Sequence, residues 1–217
     1  MPFRNNFNFG AGTKDETIYI LNVQPVLPLQ LTEDWNLITR TITPIINQPP
    51  LFPGAESAFG LGVLNPTFFL SPAKPGALIW GVGPTFTLPT ATDSLLGSGK
   101  WSMGPAVVGL TIQGPWVVGA LVNQQWSFAG WRDQGVSQML IQPFVNYNFP
   151  HGWYLTSVPI ITANWEASRG NKWTVPVGGG VGKLFKLDKL PINTQLQVFY
   201  NVKRPDFGAD WQLRFQL

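Results

Sequence analysis

The sequence has no cysteine, which removes disulfide scaffolds, thiolate metal sites and cysteine nucleophiles. It has one histidine, His151, set between Pro150 and Gly152 in a tight turn, so any triad would have to be built on that residue. Charge is scarce: 14 Lys and Arg plus 11 Asp and Glu make 12% of 217 residues, about half the roughly 25% of an ordinary soluble domain. The net charge of +3 contains no basic run, so nucleic acid is not an expected partner. No stretch approaches the roughly 18 uninterrupted apolar residues of a spanning helix. The start, Met1 to Asn6, lacks the cationic region and apolar core of a secretory leader, and the expectation is a mature chain whose leader has been removed. Carboxylates do not cluster at metal-ligand spacing, and no cofactor is expected.

What is present is apolar and aromatic. Hydrophobic residues make up 44%, including 10 Trp and 15 Phe, which argues for order despite 23 Gly and 20 Pro. The length suits one domain over residues 1–217. Helical periodicity is hard to find, whereas period-two alternation recurs from end to end, so the fold class is all-β. In Ser137 to Phe149, Met139, Ile141, Val145 and Tyr147 alternate with Gln138, Gln142, Asn146 and Asn148. In Trp116 to Phe128, Trp116, Val118, Val122 and Trp126 oppose Gly119, Asn123, Gln125 and Ser127. Tyr19, Leu21, Val23, Leu27 and Leu29 oppose Asn22, Gln24 and Gln30, and Trp211, Leu213 and Phe215 oppose Gln212, Arg214 and Gln216.

The connections are of two kinds. Short turns at Thr32 to Asp34, Ser71 to Gly76, Gly114-Pro115, Pro150 to Gly152 and Asp188 to Pro191 recur roughly every 36 to 41 residues. Longer links lie between them, at Asn47 to Gly60, Thr90 to Gly99, Ala129 to Val136, Ala167 to Asn171 and Lys203 to Asp210. Short turns on one side and long loops on the other describe a closed antiparallel up-and-down transmembrane β-barrel. Counting by parity gives about twelve strands, with both termini on the short-turn side. Trp35, Trp116 and Trp153 then stand beside short turns, and Trp101, Trp126, Trp165, Trp173 and Trp211 beside long loops, as two membrane-interface girdles. A soluble sandwich also alternates, but its greasy faces would need a second sheet to cover them.

Most charges fall in links or at strand ends. Arg4, Arg40 and Arg214 fall on the faces assigned to the lumen, where a cation avoids the roughly 2 to 4 kcal/mol that mid-depth lipid exposure costs. With Asn22, Gln24, Asn123, Gln125, Gln142 and Asn146 they are the candidate lumen or constriction residues. The arginines suit an anion-favouring constriction, or else are structural groups satisfied by lumen amides and backbone carbonyls. Gly178 to Lys183 resembles a phosphate loop superficially, but Val177 and Leu184 break the pattern, so small residues in a packed strand are the better reading. Pro25, Pro66, Pro84, Pro105, Pro143, Pro159 and Pro176 fall inside proposed strands at similar depths, which suggests a belt of irregular pairing.

Several segments resemble a known family. Asn22 to Val26, Asp34 to Thr41, Gly81 to Phe86, Leu88 to Asp93, Leu96 to Trp101, Trp126 to Gly130, Gln142 to Phe144 and Trp173 to Pro176 are similar to bacterial outer-membrane barrels described as transporters or as belonging to the meta-pathway of phenol degradation. The resemblance spans nearly the whole chain. It implies an outer-membrane barrel concerned with uptake of small hydrophobic or aromatic compounds, with no catalytic residues. The chain departs from that pattern at its end, Phe215-Gln216-Leu217, where such barrels commonly finish on an aromatic residue. The reading is a passive channel or transporter for small hydrophobic, aromatic or anionic molecules, with lipid or detergent and a solute as partners and a narrow polar interior. The alternatives are a plugged structural or adhesion barrel, and a soluble β-barrel binding an apolar ligand.

Overall fold

In a computed structural model, which describes residues 3–188 and 190–217, the chain is almost wholly β-strand. Met1 and Pro2, at the start on which the expectation of a removed leader rests, and Lys189 of the Asp188 to Pro191 turn lie outside the described residues. The strands are β1 (Phe3–Ala11), β2 (Glu16–Val23 and Val26–Gln30), β3 (Trp35–Gln48), β4 (Ala58–Leu61 and Asn65–Pro72), β5 (Leu78–Thr87) and β6 (Lys100–Gln113). They continue with β7 (Trp116–Gly130), β8 (Ser137–Asn148), β9 (Trp153–Ser157 and Ile161–Asn164), β10 (Trp173–Leu187), β11 (Leu190–Lys203) and β12 (Trp211–Gln216). Each pairs antiparallel with its neighbours in sequence. β12 returns to β1, from Arg4 opposite Gln216 to Phe9 opposite Trp211, which closes a twelve-stranded barrel.

Three strands are written as two runs because both runs pair with the same neighbour. The interruptions fall at Gln24-Pro25, at residues 62–64 and at residues 158–160 around Pro159. Pro25 and Pro159 therefore lie in gaps rather than inside strands, as expected of residues that lack a ladder donor. Elsewhere the irregularity is absorbed by pairing: Pro66 stands opposite Thr41, Pro84 opposite Pro105, and the register shifts at Val175/Pro176. Between β4 and β5 the described cross-strand partners are two, Thr67 with Thr85 and Leu70 with Val82. A closed wall has no edge at which to hide prolines, so it interrupts its ladders instead.

Closure sorts the side chains. Val118, Val122 and Trp126 of β7 are 39 to 51% exposed, while Leu121, Asn123 and Gln125 between them are buried. Leu27, Leu29, Val107, Val177, Val181, Leu196 and Val198 are likewise exposed. Among the described residues all strands belong to one closed sheet and none covers this outer band, so the chain forms a barrel and not a sandwich. A belt of unpaired apolar side chains around a wall with satisfied backbone groups is what a hydrocarbon solvent selects.

Two expectations need correction. The interior is not uniformly polar: Phe69, Ala106 and Leu121 form a buried cluster with Ile38, Val108 and Leu140 packed against it. The strand cations also extend beyond the three arginines. Lys183, inside β10 opposite Trp153, lies 4.6 Å over the Trp153 ring near the short-turn end. There its long stem can lie along the apolar wall while its head stays near water.

Candidate functional site: the barrel interior

The inner wall has two chemically different halves. From β3 to β8 it carries the apolar cluster, to which Ile38, Phe69, Ala106, Leu121 and Leu140 contribute from five strands. The half made by β9 to β12 with β1 and β2 carries a hydrogen-bonded network centred on Arg214, which is 2% exposed. Alternation along β12 turns Arg214 inward opposite Asn6 of β1 and Gln197 of β11. Its Nε donates to Asn6 Oδ1 at 3.1 Å, and Nη2 donates to Gln212 Oε1 at 2.6 Å. Nη1 donates to the Val158 carbonyl at 2.7 Å, in the interruption of β9, and the guanidinium lies 4.7 Å over the Phe199 ring.

Val158 can receive it because β9 is broken there. Its N–H donates to Gln197 Oε1 at 3.2 Å, while Gln197 Nε2 donates to Gln195 Oε1. The proline that follows, Pro159, frees this stretch from the sheet ladder, and the released backbone groups find partners inside.

Of the other two arginines, Arg4 stands on β1 in this half and Arg40 on β3, the first strand of the other half, beside the interruption of β2. Arg4 Nε donates to Gln216 Oε1 at 3.1 Å, and its buried Nη1 has no partner among the described residues. Arg40 Nη2 donates to Gln24 Oε1 at 3.3 Å. Asn22 stands opposite Arg4 on β2. The one salt bridge among the described residues is elsewhere, between Arg204 and Asp210 at 2.6 Å in the long-loop region.

Of the candidate amides, Gln24, Asn123, Gln125 and Gln142 are buried, and the Asn146 Oδ1 is buried without a partner. Gln125 accepts from Thr87 Oγ1 at 2.7 Å, in a hydroxyl and amide group that includes Thr85 and Thr67. Residues the sequence reading did not single out are Asn6, Val158, Gln197 and Phe199. A signal existed for one of them: Gln195 and Gln197 alternate with Leu196 and Val198.

Two cavities lie at opposite ends of the lumen. The larger, about 660 Å³ at the long-loop end, reaches down to Asn123, Leu140, Thr162 and Thr174. The smaller, about 250 Å³ at the short-turn end, is lined by Asn146, Tyr154, Leu184, Asn193 and Gln195 among others. Gly182 makes room there, since any Cβ would collide with the Tyr154 ring. Gln142 and Phe144 of β8, which alternate inward between Leu140 and Asn146, lie between the two. The Arg214 contact with Val158 runs along the inner wall from β12 to β9.

Outside, Trp35, Trp116 and Trp153 begin strands that follow short turns, and they are 37 to 48% exposed. Trp101, Trp126, Trp165 and Trp211 are exposed at the other end, and half-buried Trp173 meets Trp165 edge-on at 5.5 Å. Trp116 packs edge-on to Tyr147 at 4.8 Å, and Tyr200 meets Trp211 at 4.6 Å. His151 is exposed in its turn with φ 62°, away from the lumen network.

An even-stranded, closed up-and-down barrel with an apolar exterior and a hydrogen-bonding interior defines the transmembrane β-barrel class. The fold is similar to that of a solved outer membrane channel from Pseudomonas putida F1, with 18% sequence identity and a TM-score of 0.68 over 99% of this chain and 91% of that one. No protein-family model matches the sequence, and no curated protein matches it.

Proposed function

We propose that this chain is a bacterial outer-membrane channel that passes small molecules through a lumen closed at mid-height by side chains. The observation that carries the reading is the pair of lumen cavities, one toward each end of the wall, with the inward side chains of Gln142 and Phe144 on the stretch between them. Side-chain plugs can move aside; the wall need not. Ions that do pass are anions, because Arg4, Arg40 and Arg214 bring three positive charges to the inner wall and no carboxylate pairs with them among the described residues. The uptake of hydrophobic or aromatic compounds implied by the family resemblance agrees with the apolar half of the lumen.

Planar-bilayer recordings of the purified chain test this. Discrete conductance steps with anion preference, reduced by Arg40→Ala, are expected. A sealed barrel would instead favour the structural or adhesion reading, to which the closed midsection also lends itself.

A further inference from the structure

The long-loop cavity presents a polar wall that its own fold leaves unsatisfied. Registers across β7 to β10 set two tiers on the inner face: Gln125, Gln138 and Asn164 above, then Asn123, Leu140, Thr162 and Thr174 below. All seven line the 660 Å³ cavity. Gln125 is paired with Thr87, yet Asn123, Gln138, Thr162 and Thr174 form no side-chain hydrogen bond among the described residues. Asn123 is only 8% exposed as a residue and lines the cavity, where its amide stands open to water or a solute. Water completes these hydrogen bonds when the cavity is free, and a solute with its own donors and acceptors can take that water's place. Below the lower tier the surface turns apolar, because Leu140 packs on Leu121, Ala106 and Phe69.

Charge is absent from these tiers. Lys172 and Asp206 stand at the loop end of the cavity with opposite signs, and Asp206 already accepts from Asn171 Nδ2 at 2.9 Å. An ion entering here would shed water and meet amides and hydroxyls without a net counter-charge. A neutral molecule would meet donors and acceptors on one side and a greasy floor on the other.

We infer that this cavity is a binding site for uncharged solutes that carry an amide or hydroxyl group on an apolar body, held through Asn123, Gln138, Thr162 and Thr174. The inference rests on the channel reading for its purpose, as the place where solute is taken up before the midsection. The volume falls within the roughly 300–1,000 Å³ of small-molecule sites.

The test uses three probes of one shape: cyclohexanecarboxamide, cyclohexanecarboxylate and cyclohexylammonium, measured by equilibrium dialysis against the full chain in detergent micelles. The carboxamide is expected to bind about tenfold more tightly than either ion. Asn123→Leu and Thr162→Val are each expected to weaken it about fivefold in the same detergent, which separates the site from partition into micelles. Unchanged heat-modifiable gel migration reports that each variant is folded. Equal binding of the three probes, tighter binding of an ion, or indifference to both substitutions would overturn the site. Binding as expected in a protein that carries no solute into liposomes would support the site and count against the channel. Solute flux without any saturable binding would do the reverse.

Discussion

Replacing Arg214 by alanine removes three charge-assisted hydrogen bonds at once, to Asn6, Gln212 and the Val158 carbonyl. Bonds of this type contribute about 1.5–3 kcal/mol each when nothing replaces them. Here water that enters the vacated part of the polar lumen replaces most of them. The net loss of stability is therefore about 1–3 kcal/mol, well below the sum of the three. The larger effect falls on conductance. Without its bridge the interrupted stretch at residues 158–160 keeps only the Gln197 contact, and single-channel conductance in planar bilayers should rise several-fold with weaker anion preference. Arg214→Lys keeps the charge but cannot reach three acceptors in one plane, so it should fall between the two. An alanine variant that folds, inserts and conducts no more than the parent would refute the idea that this arginine closes the lumen.

Further outcomes follow from the wall. Val122→Arg places a cation on the outer face at mid-strand and should cost about 2–4 kcal/mol in lipid, whereas Gln138→Arg, facing the cavity, should be nearly neutral; refolding into vesicles under urea reads both. Gly182→Val drives a branched side chain into the Tyr154 ring and should lower the temperature of heat-modifiable unfolding by an amount equivalent to about 1–3 kcal/mol. Asp210→Asn breaks the Arg204 pair, but both side chains are about one-third exposed, so the same assay should shift by no more than about 1 kcal/mol.

The barrel was legible because alternation and loop length are local signals. Trp116, Val118 and Val122 against Asn123 and Gln125 reveal which way a strand faces, and the parity of short and long links reveals how many strands there are. The apolar half of the lumen was hidden for the same reason. Leu121 and Leu140 each have an apolar neighbour on the opposite face, Val122 and Ile141, so period two has nothing to distinguish there. Arg214 was visible as an inward cation. Its backbone acceptor at Val158 was not, because a carbonyl leaves no mark in composition. Only Pro159 hints that Val158 escapes the ladder. Lys183 was passed over because a cation near a strand end can face lipid when a Trp lies beneath it.

Because the chain contains no cysteine, single cysteines can be placed along β7 without background. A spin label at each position from 116 to 128, in reconstituted vesicles, measures contact with acyl chains through its relaxation by dissolved oxygen. Strong relaxation at 118, 122 and 126, alternating with weak relaxation at 119, 121, 123 and 125, is the predicted result. A flat profile, or one with its maxima at 121, 123 and 125, would contradict a wall that meets lipid with its valines and tryptophans.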